Sequence, residues 1–168
     1  MNEYNTLEKC LELFKSVNCI GKENLIFFTY KDTAKATKPS MLGGAVGAFA
    51  GGMVNGAEYP YDGLLINKTE KGIGMFMVKQ PGIPFTYKLE KMELQKDNFI
   101  YYDNKDIKDI KIKKFALLNN KKKSIFITTS DKKKYILCAD IDEPRLPYHN
   151  DNFYRFIEKC LTMGGRIC

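Results

Sequence analysis

Residues 64–78 read LLINKTEKGIGMFMV, two apolar runs separated by a short polar loop. The first run ends at Asn67, the second begins at Ile73, and the loop between them ends in Gly72. Short apolar runs that flank a loop containing glycine are typical of a β-hairpin. This stretch therefore predicts two antiparallel strands, and strand patterns continue on both sides of it.

The flanking patterns predict a sheet of several further strands. Asn24 to Tyr30 reads as a short buried strand before the hairpin, and Phe85 to Tyr102 supplies one or two strands after it. A long strand then begins near Ile110, with Lys113–Lys114 breaking its alternation as a β-bulge would. The last two strands are predicted over Ile125–Thr129 and Tyr135–Ala139.

An amphipathic helix is predicted at each end of the chain. The first begins after an Asn5 N-cap, with Glu8 completing a capping box, and the second begins near Asn150 or Asp151 and stops at Gly164. Short antiparallel strands hide their edges in a second sheet or in a closed barrel, whose open end a helix can cover. We therefore predict a mostly β (α+β) fold, an antiparallel barrel of about seven strands capped by the C-terminal helix.

A stretch without charge from Met41 to Ala57 separates the first strand from the hairpin. Gly43, Gly47 and Gly51 recur every four residues in it, so a helix there would present a flat face of small residues, a glycine zipper. The stretch is too short to span a bilayer alone. Three interpretations stay open: packing against the barrel or at a subunit contact, membrane insertion, and oligomeric helix packing.

The net charge of +7 is concentrated in one region of the chain. Between Asn104 and Lys134 eleven lysines accompany three aspartates, and the remaining residues sum to −1. Only three of the 27 basic residues are arginine, the side chain that grips bases and phosphates through its planar fork. In a simple meander the triplets Lys121–Lys123 and Lys132–Lys134 fall in successive connections, at opposite ends of the sheet.

The residue inventory argues against catalysis and against a metal site. His149 is the single histidine and stands in a loop before the last helix, where a helix-flanking hydrogen bond is the expected role. The acidic residues Asp140, Asp142 and Glu143 lack the glycine and the further ligands of a calcium loop. The five cysteines include no Cys-x-x-Cys pair, which predicts reduced thiols. We expect no enzyme, no cofactor and no metal.

The run from Gly63 to Gly74 and the segment NKDIKDIKI at residues 104–112 resemble the bacterial pleckstrin-homology-like domains, which include GRAM-type modules. The resemblance covers Tyr61 to about Met163. It implies a barrel capped by a C-terminal helix, a binding or scaffolding role and no shared catalytic residues. It divides the chain into residues 1–60, with a helix, a strand and the glycine-rich segment, and a domain at 61–168.

The expected function is binding, either of a protein partner or of an anionic membrane surface. The alternative is a membrane-active protein whose glycine-rich segment inserts or oligomerises, and a weaker one is nucleic-acid binding through a lysine-rich face. The N-terminal residues lack the basic and apolar regions of a secretory signal, so a cytoplasmic location, at most peripheral to the membrane, is expected. The candidate contacts are Lys68, Lys71, Lys121, Lys122 and Lys123 for lipid, and Gly43, Gly47 and Gly51 for the zipper.

Overall fold

The computed structural model describes residues 1–32, 61–82, 87–116 and 119–162. Two α-helices and seven β-strands form these parts of the chain, joined by three short 3-10 turns. The helices are α1 (Leu7–Ser16) and α2 (His149–Thr162). The strands are β1 (Leu25–Lys31), β2 (Gly63–Lys68), β3 (Gly72–Lys79), β4 (Glu93–Asp103), β5 (Ile107–Ala116), β6 (Asn119–Thr129) and β7 (Lys134–Asp140).

The seven strands form one antiparallel sheet in the order β4-β3-β2-β1-β7-β6-β5. β1 lies at its centre and pairs with β2 along six residues, from Leu25 opposite Lys68 to Tyr30 opposite Gly63. Its pairing with β7 is much shorter and joins Tyr30 to Cys138 and Lys31 to Leu137. Because β1 belongs to residues 1–60 and its two partners to 61–168, both predicted segments of the chain build the same sheet.

One face of the sheet encloses a single buried cluster. Strands from both halves of the sheet contribute to it, and α2 adds Phe153, Phe156 and Cys160. The ring of Phe156 lies 4.6 Å from that of Phe27 in β1, which makes this contact the centre of the junction between helix and sheet. The other strand residues of the cluster include Leu25, Leu64, Ile66, Ile73, Met75, Ile110, Ile125, Ile127, Tyr135 and Leu137.

The opposite face of β1, β2 and β3 is buried as well. α1 covers it, and Phe14 packs edge-to-face against Phe76 of β3, with ring centroids 5.3 Å apart. Gly74 leaves no room for a Cβ beside the Cys19 thiol and the Phe99 ring, so a larger residue there would displace one of these side chains. Burial on both faces explains why β2 and β3 are nearly continuous apolar runs.

The N-cap of α1 differs from the prediction. Thr6, and not Asn5, is the N-cap, and its side chain accepts the backbone N–H of Lys9. At the C-terminus the N–H of Cys19 bonds to the carbonyl of Phe14 and the N–H of Asn18 to that of Lys15, the two bonds of a Schellman motif. Asn18 takes the left-handed conformation that this motif requires, with φ of 56°.

Asn18 supplies a conformational test of this cap. Replacing it by alanine should lower the free energy of unfolding by about 1 kcal/mol, because a Cβ without a local polar partner disfavours the left-handed region. Asn18→Gly should leave stability unchanged or raise it. Urea denaturation of both variants beside wild type measures the difference, and equal values for alanine and glycine would contradict the motif.

Other boundaries were only partly predicted. The segment expected to hold one or two strands from Phe85 contains a 3-10 turn at Leu89–Lys91 and then the single strand β4. The bulge expected at Lys113–Lys114 is a register shift between Lys114 and Ala116, one residue later. α2 begins at His149, slightly before the predicted cap. β4, at one edge of the sheet, bulges out at residues 96–98, which interrupts the row of groups that another strand could pair with.

Candidate functional site

Lysines are concentrated in the β5–β6 hairpin. Seven lysines and one aspartate lie between Ile107 and Thr129. Lys121, Lys122 and Lys123 were predicted to lie in a connection between strands, but they are part of β6, close to its start. Lys134 begins β7 opposite Thr128, at the far end from Lys122, so the two lysine triplets lie at opposite ends of the β6–β7 hairpin, as predicted.

The register of β5 and β6 places two lysines directly opposite each other. The half-buried Ile112 pairs with the buried Ile125, and two residues further along the same face Lys114 pairs with Lys123. Side chains of such antiparallel partners have their Cβ atoms about 5 Å apart, and like charges directly opposite each other destabilise a hairpin. Beyond the Ile112–Ile125 pair, the same face of the hairpin therefore carries two positive charges, whose repulsion lowers the stability of the hairpin.

Lys122 lies on the other face of β6 and has partners of its own. Its ammonium lies 3.7 Å from the Asp140 carboxylate and packs over the rings of Tyr30 and Phe115 at 5.6 and 5.1 Å. Tyr30 in turn donates its hydroxyl proton to Glu143, and burial first, then this carboxylate, raises the pKa of the phenol. Lys122 is thus anchored to the end of β7 and is a poorer candidate contact than its neighbours.

In the part of the chain that the structure describes, five lysines of the hairpin lack an acidic neighbour: Lys108, and four that lie where β5 ends and β6 begins. Within the described residues no carboxylate lies within ion-pair distance of Lys113, Lys114, Lys121 or Lys123, whereas Lys111 is paired with Asp109 at 2.6 Å. We call these four the basic patch; Lys114, Lys121 and Lys123 lie on one face of the hairpin, and Lys113, which pairs with Ser124, lies on the other. Lys113 extends over the ring of Phe126 at 5.8 Å, and Lys114 and Lys121 are exposed. The sequence prediction included Lys121 and Lys123 but missed Lys113 and Lys114, since only the pairing of β5 with β6 places both pairs at the same end of the hairpin.

Protection of a sheet edge does not account for the whole basic patch. Lysines are common on edge strands because they prevent pairing with other chains, and β5 is an edge strand. β6, however, is an interior strand with β5 on one side and β7 on the other, so Lys121 and Lys123 have no edge to protect. Edge protection can therefore account for Lys113 and Lys114 in β5 but not for Lys121 and Lys123 in β6.

Lys68 and Lys71 belong to a different part of the surface. Lys68 is only 5% exposed, and its ammonium donates to the Thr69 carbonyl at 2.7 Å and to the Asn104 side chain at 3.2 Å. Burial lowers the pKa of Lys68 to about 8, with a smaller contribution from Lys159. These bonds tie the β2–β3 hairpin to the corner before β5 and argue against Lys68 as a lipid contact. Lys71 is exposed.

The glycine-zipper residues Gly43, Gly47 and Gly51 lie outside the described residues. The hypotheses of packing, insertion and oligomerisation through them therefore stay predictions. Both α-helices that the described residues contain are too short and too polar to cross a bilayer.

The residues that could serve in catalysis or metal binding were the histidine, the acidic residues and the cysteines. Both ring nitrogens of His149 bond to the backbone, one to Phe28 and one to Asp140, so the predicted helix-flanking hydrogen bonds are present. In the described parts of the chain no three potential metal ligands come together. Cys10, Cys19 and Cys138 are buried and reduced, as predicted, but Cys160 is disulfide-bonded, contrary to the expectation of reduced cysteines throughout.

Comparison of the chain with protein-family models, with curated proteins and with solved structures finds no match. The functional assignment of the β5–β6 hairpin therefore rests on its own geometry and charge.

Proposed function

We propose that this protein is a non-enzymatic binding module that docks on an anionic membrane surface through the basic patch of the β5–β6 hairpin. The observation that carries the proposal is the Lys114–Lys123 pair, two like charges placed opposite each other with no acidic neighbour in the described residues. A bound anionic surface would offset this repulsion, because each lysine near such a surface contributes about 1 kcal/mol of attraction.

The fold that we propose for this module is the pleckstrin-homology-like barrel. Support comes from the seven antiparallel strands, from the buried cluster shared by both halves of the sheet and from the C-terminal helix packed on it. A module of this kind would act in the cytoplasm and bind the membrane from its surface. The binding energy would come from screened electrostatic attraction and would fall steeply as salt is added.

Vesicle co-sedimentation tests the membrane contact. The quadruple variant Lys113→Gln, Lys114→Gln, Lys121→Gln, Lys123→Gln should bind vesicles of phosphatidylcholine and phosphatidylserine at least tenfold more weakly than wild type, since four contributions of about 1 kcal/mol are lost. The control variant carries Lys9→Gln, Lys15→Gln, Lys88→Gln and Lys91→Gln, exposed lysines on the α1 side of the sheet. It has the same net charge and should bind like wild type.

A stability measurement shows whether the four lysines serve in docking or in holding the fold together. Because the patch contains a repulsive pair, the quadruple variant should unfold at the same or a slightly higher urea concentration than wild type. Equal loss of vesicle binding by both quadruple variants would mean that binding depends only on net charge. That result would overturn the proposal that the hairpin is the docking surface.

The remaining hypotheses appear as other outcomes of the same experiment. Binding that resists high salt and survives in the quadruple variant would favour insertion of the glycine-rich segment. Absence of binding to any vesicle would favour a protein partner. Displacement of wild type from vesicles by single-stranded nucleic acid would show that the patch accepts a polyanion of another class.

A further inference from the structure

The backbone pairing between β1 and β7 ends beside the first turn of α2. Tyr30 opposite Cys138 is the last pair on this side, and continuing the register would bring Phe28 opposite Asp140. The imidazole of His149, the first residue of α2, occupies that position instead. The N–H of Phe28 donates to Nδ1 at 3.1 Å, and Nε2 donates to the carbonyl of Asp140 at 2.7 Å.

These two bonds require a neutral imidazole with its proton on Nε2. The backbone N–H of Phe28 can only donate, so Nδ1 must accept, and the carbonyl of Asp140 can only accept, so Nε2 must donate. Protonation of Nδ1 would turn this acceptor into a second donor facing the Phe28 N–H. The side chain is 1% exposed, so water could not replace the lost bond without local opening.

We propose that His149 is an acid-sensitive latch that holds the first turn of α2 in the gap between β1 and β7. At neutral pH the ring joins the two strands through the helix. When the ring takes up a proton, its bond to Phe28 is lost and the first turn of α2 separates from β1.

The groups that face His149 act on the ring in opposite directions. Burial lowers the pKa of the imidazole, while the carbonyl of Asp140 and the nearby Asp140 and Asp142 carboxylates raise it by smaller amounts. The Asp140 carboxylate is itself paired with Lys122 from β6. From β1 only the backbone of Phe28 bonds to the ring, and from α2 the ring of Phe153 lies against it. The positive end of the helix dipole further disfavours a cation at this first position.

A second bond keeps the rest of α2 in place. The side-chain N–H₂ of Asn152, one turn further along, donates to the carbonyl of Ile26 at 3.0 Å. An amide does not titrate in this pH range, so acid should release the first turn before the helix as a whole. The latch is therefore a local event, distinct from acid unfolding.

The sign of the pH effect follows from the lowered pKa. An unfolded chain binds a proton at its histidine below a pH of about 6.5, whereas the folded chain resists doing so. Stability is therefore complete above that pH and decreases as the pH falls towards the pKa of the folded state. His149 is the only histidine, so no other imidazole contributes to this window.

Urea denaturation and hydrogen exchange of the whole chain test the latch. Between pH 7.0 and pH 5.5 the unfolding constant of wild type should rise several-fold, with about eightfold as the ceiling for one histidine. His149→Gln should lose this pH dependence. The exchange protection of the Phe28 amide should decrease over the same interval by more than that of Phe27, whose N–H lies outside the bond to His149.

The imidazole of wild type gives a readout that does not depend on the variant. Its NMR signals should show the Nε2–H tautomer at pH 7 and a titration midpoint below the ordinary histidine value. A midpoint at or above that value, or the same pH dependence in His149→Gln as in wild type, would overturn the proposal.

Discussion

A fragment of residues 61–168 should not fold by itself. It lacks β1, the central strand, so β2 loses six backbone pairs and β7 loses the shorter pairing on the side away from β6. It also lacks Phe27, which packs on Phe156, and the whole of α1, which covers the outer face of β2 and β3. Circular dichroism and the dispersion of amide NMR signals should show an unfolded or aggregated chain.

A complementation experiment supplies the control for this fragment. A peptide of residues 1–32 carries α1 and β1, and adding it to the fragment should restore dispersed amide signals, because it returns the same contacts without the chain connection. Cooperative unfolding of the 61–168 fragment alone would instead support a domain boundary at residue 60. Failure of the peptide to bind would contradict the central place of β1.

Replacing Phe156 by alanine should lower the free energy of unfolding by about 3–5 kcal/mol. The side chain is fully buried, it lies against Phe27, and it belongs to the cluster that both halves of the sheet enclose. Its removal would leave a cavity at the junction of α2 and β1, which the surrounding strands cannot close without losing their own pairing. Urea denaturation at neutral pH measures the effect.

Tyr154 is the matched control on the same helix. Its side chain is 50% exposed, so Tyr154→Ala should change the free energy of unfolding by about 0.5 kcal/mol or less. Comparable losses in the two variants would mean that α2 contributes through its helical backbone and not through its buried face. A loss of less than about 1 kcal/mol for Phe156→Ala would place the helix outside the core.

Most of the strands were predictable because each has a local pattern of apolar residues. The apolar runs around Gly72 predicted β2 and β3, and the pattern from Asn24 to Tyr30 predicted β1 to within one residue at each end. The two helices were predicted for the same reason, since the spacing of their apolar residues matches the turn of an α-helix. Such local periodicity does not depend on which other elements a segment meets.

The candidate site was only partly predictable because it is created by strand register. Lys121 and Lys123 could be recognised as part of a lysine run, but Lys113 and Lys114 were interpreted as a bulge. Only the pairing of β5 with β6 places Lys114 opposite Lys123. Lys68 shows the opposite error, since a lysine in a polar hairpin is expected in solvent, and the Thr69 carbonyl and Asn104 bury it.

By itself the sequence determined the type, the order and the approximate limits of most elements, because each depends on the spacing of residues along a short segment. Tertiary structure alone decided that β1 is the central strand, that lysines of two strands lie at the same end of the β5–β6 hairpin, and that His149 joins β1 to β7. These features join residues 9 to 121 positions apart along the chain, and the physical reason is that no local pattern encodes which segments meet when a common core is buried.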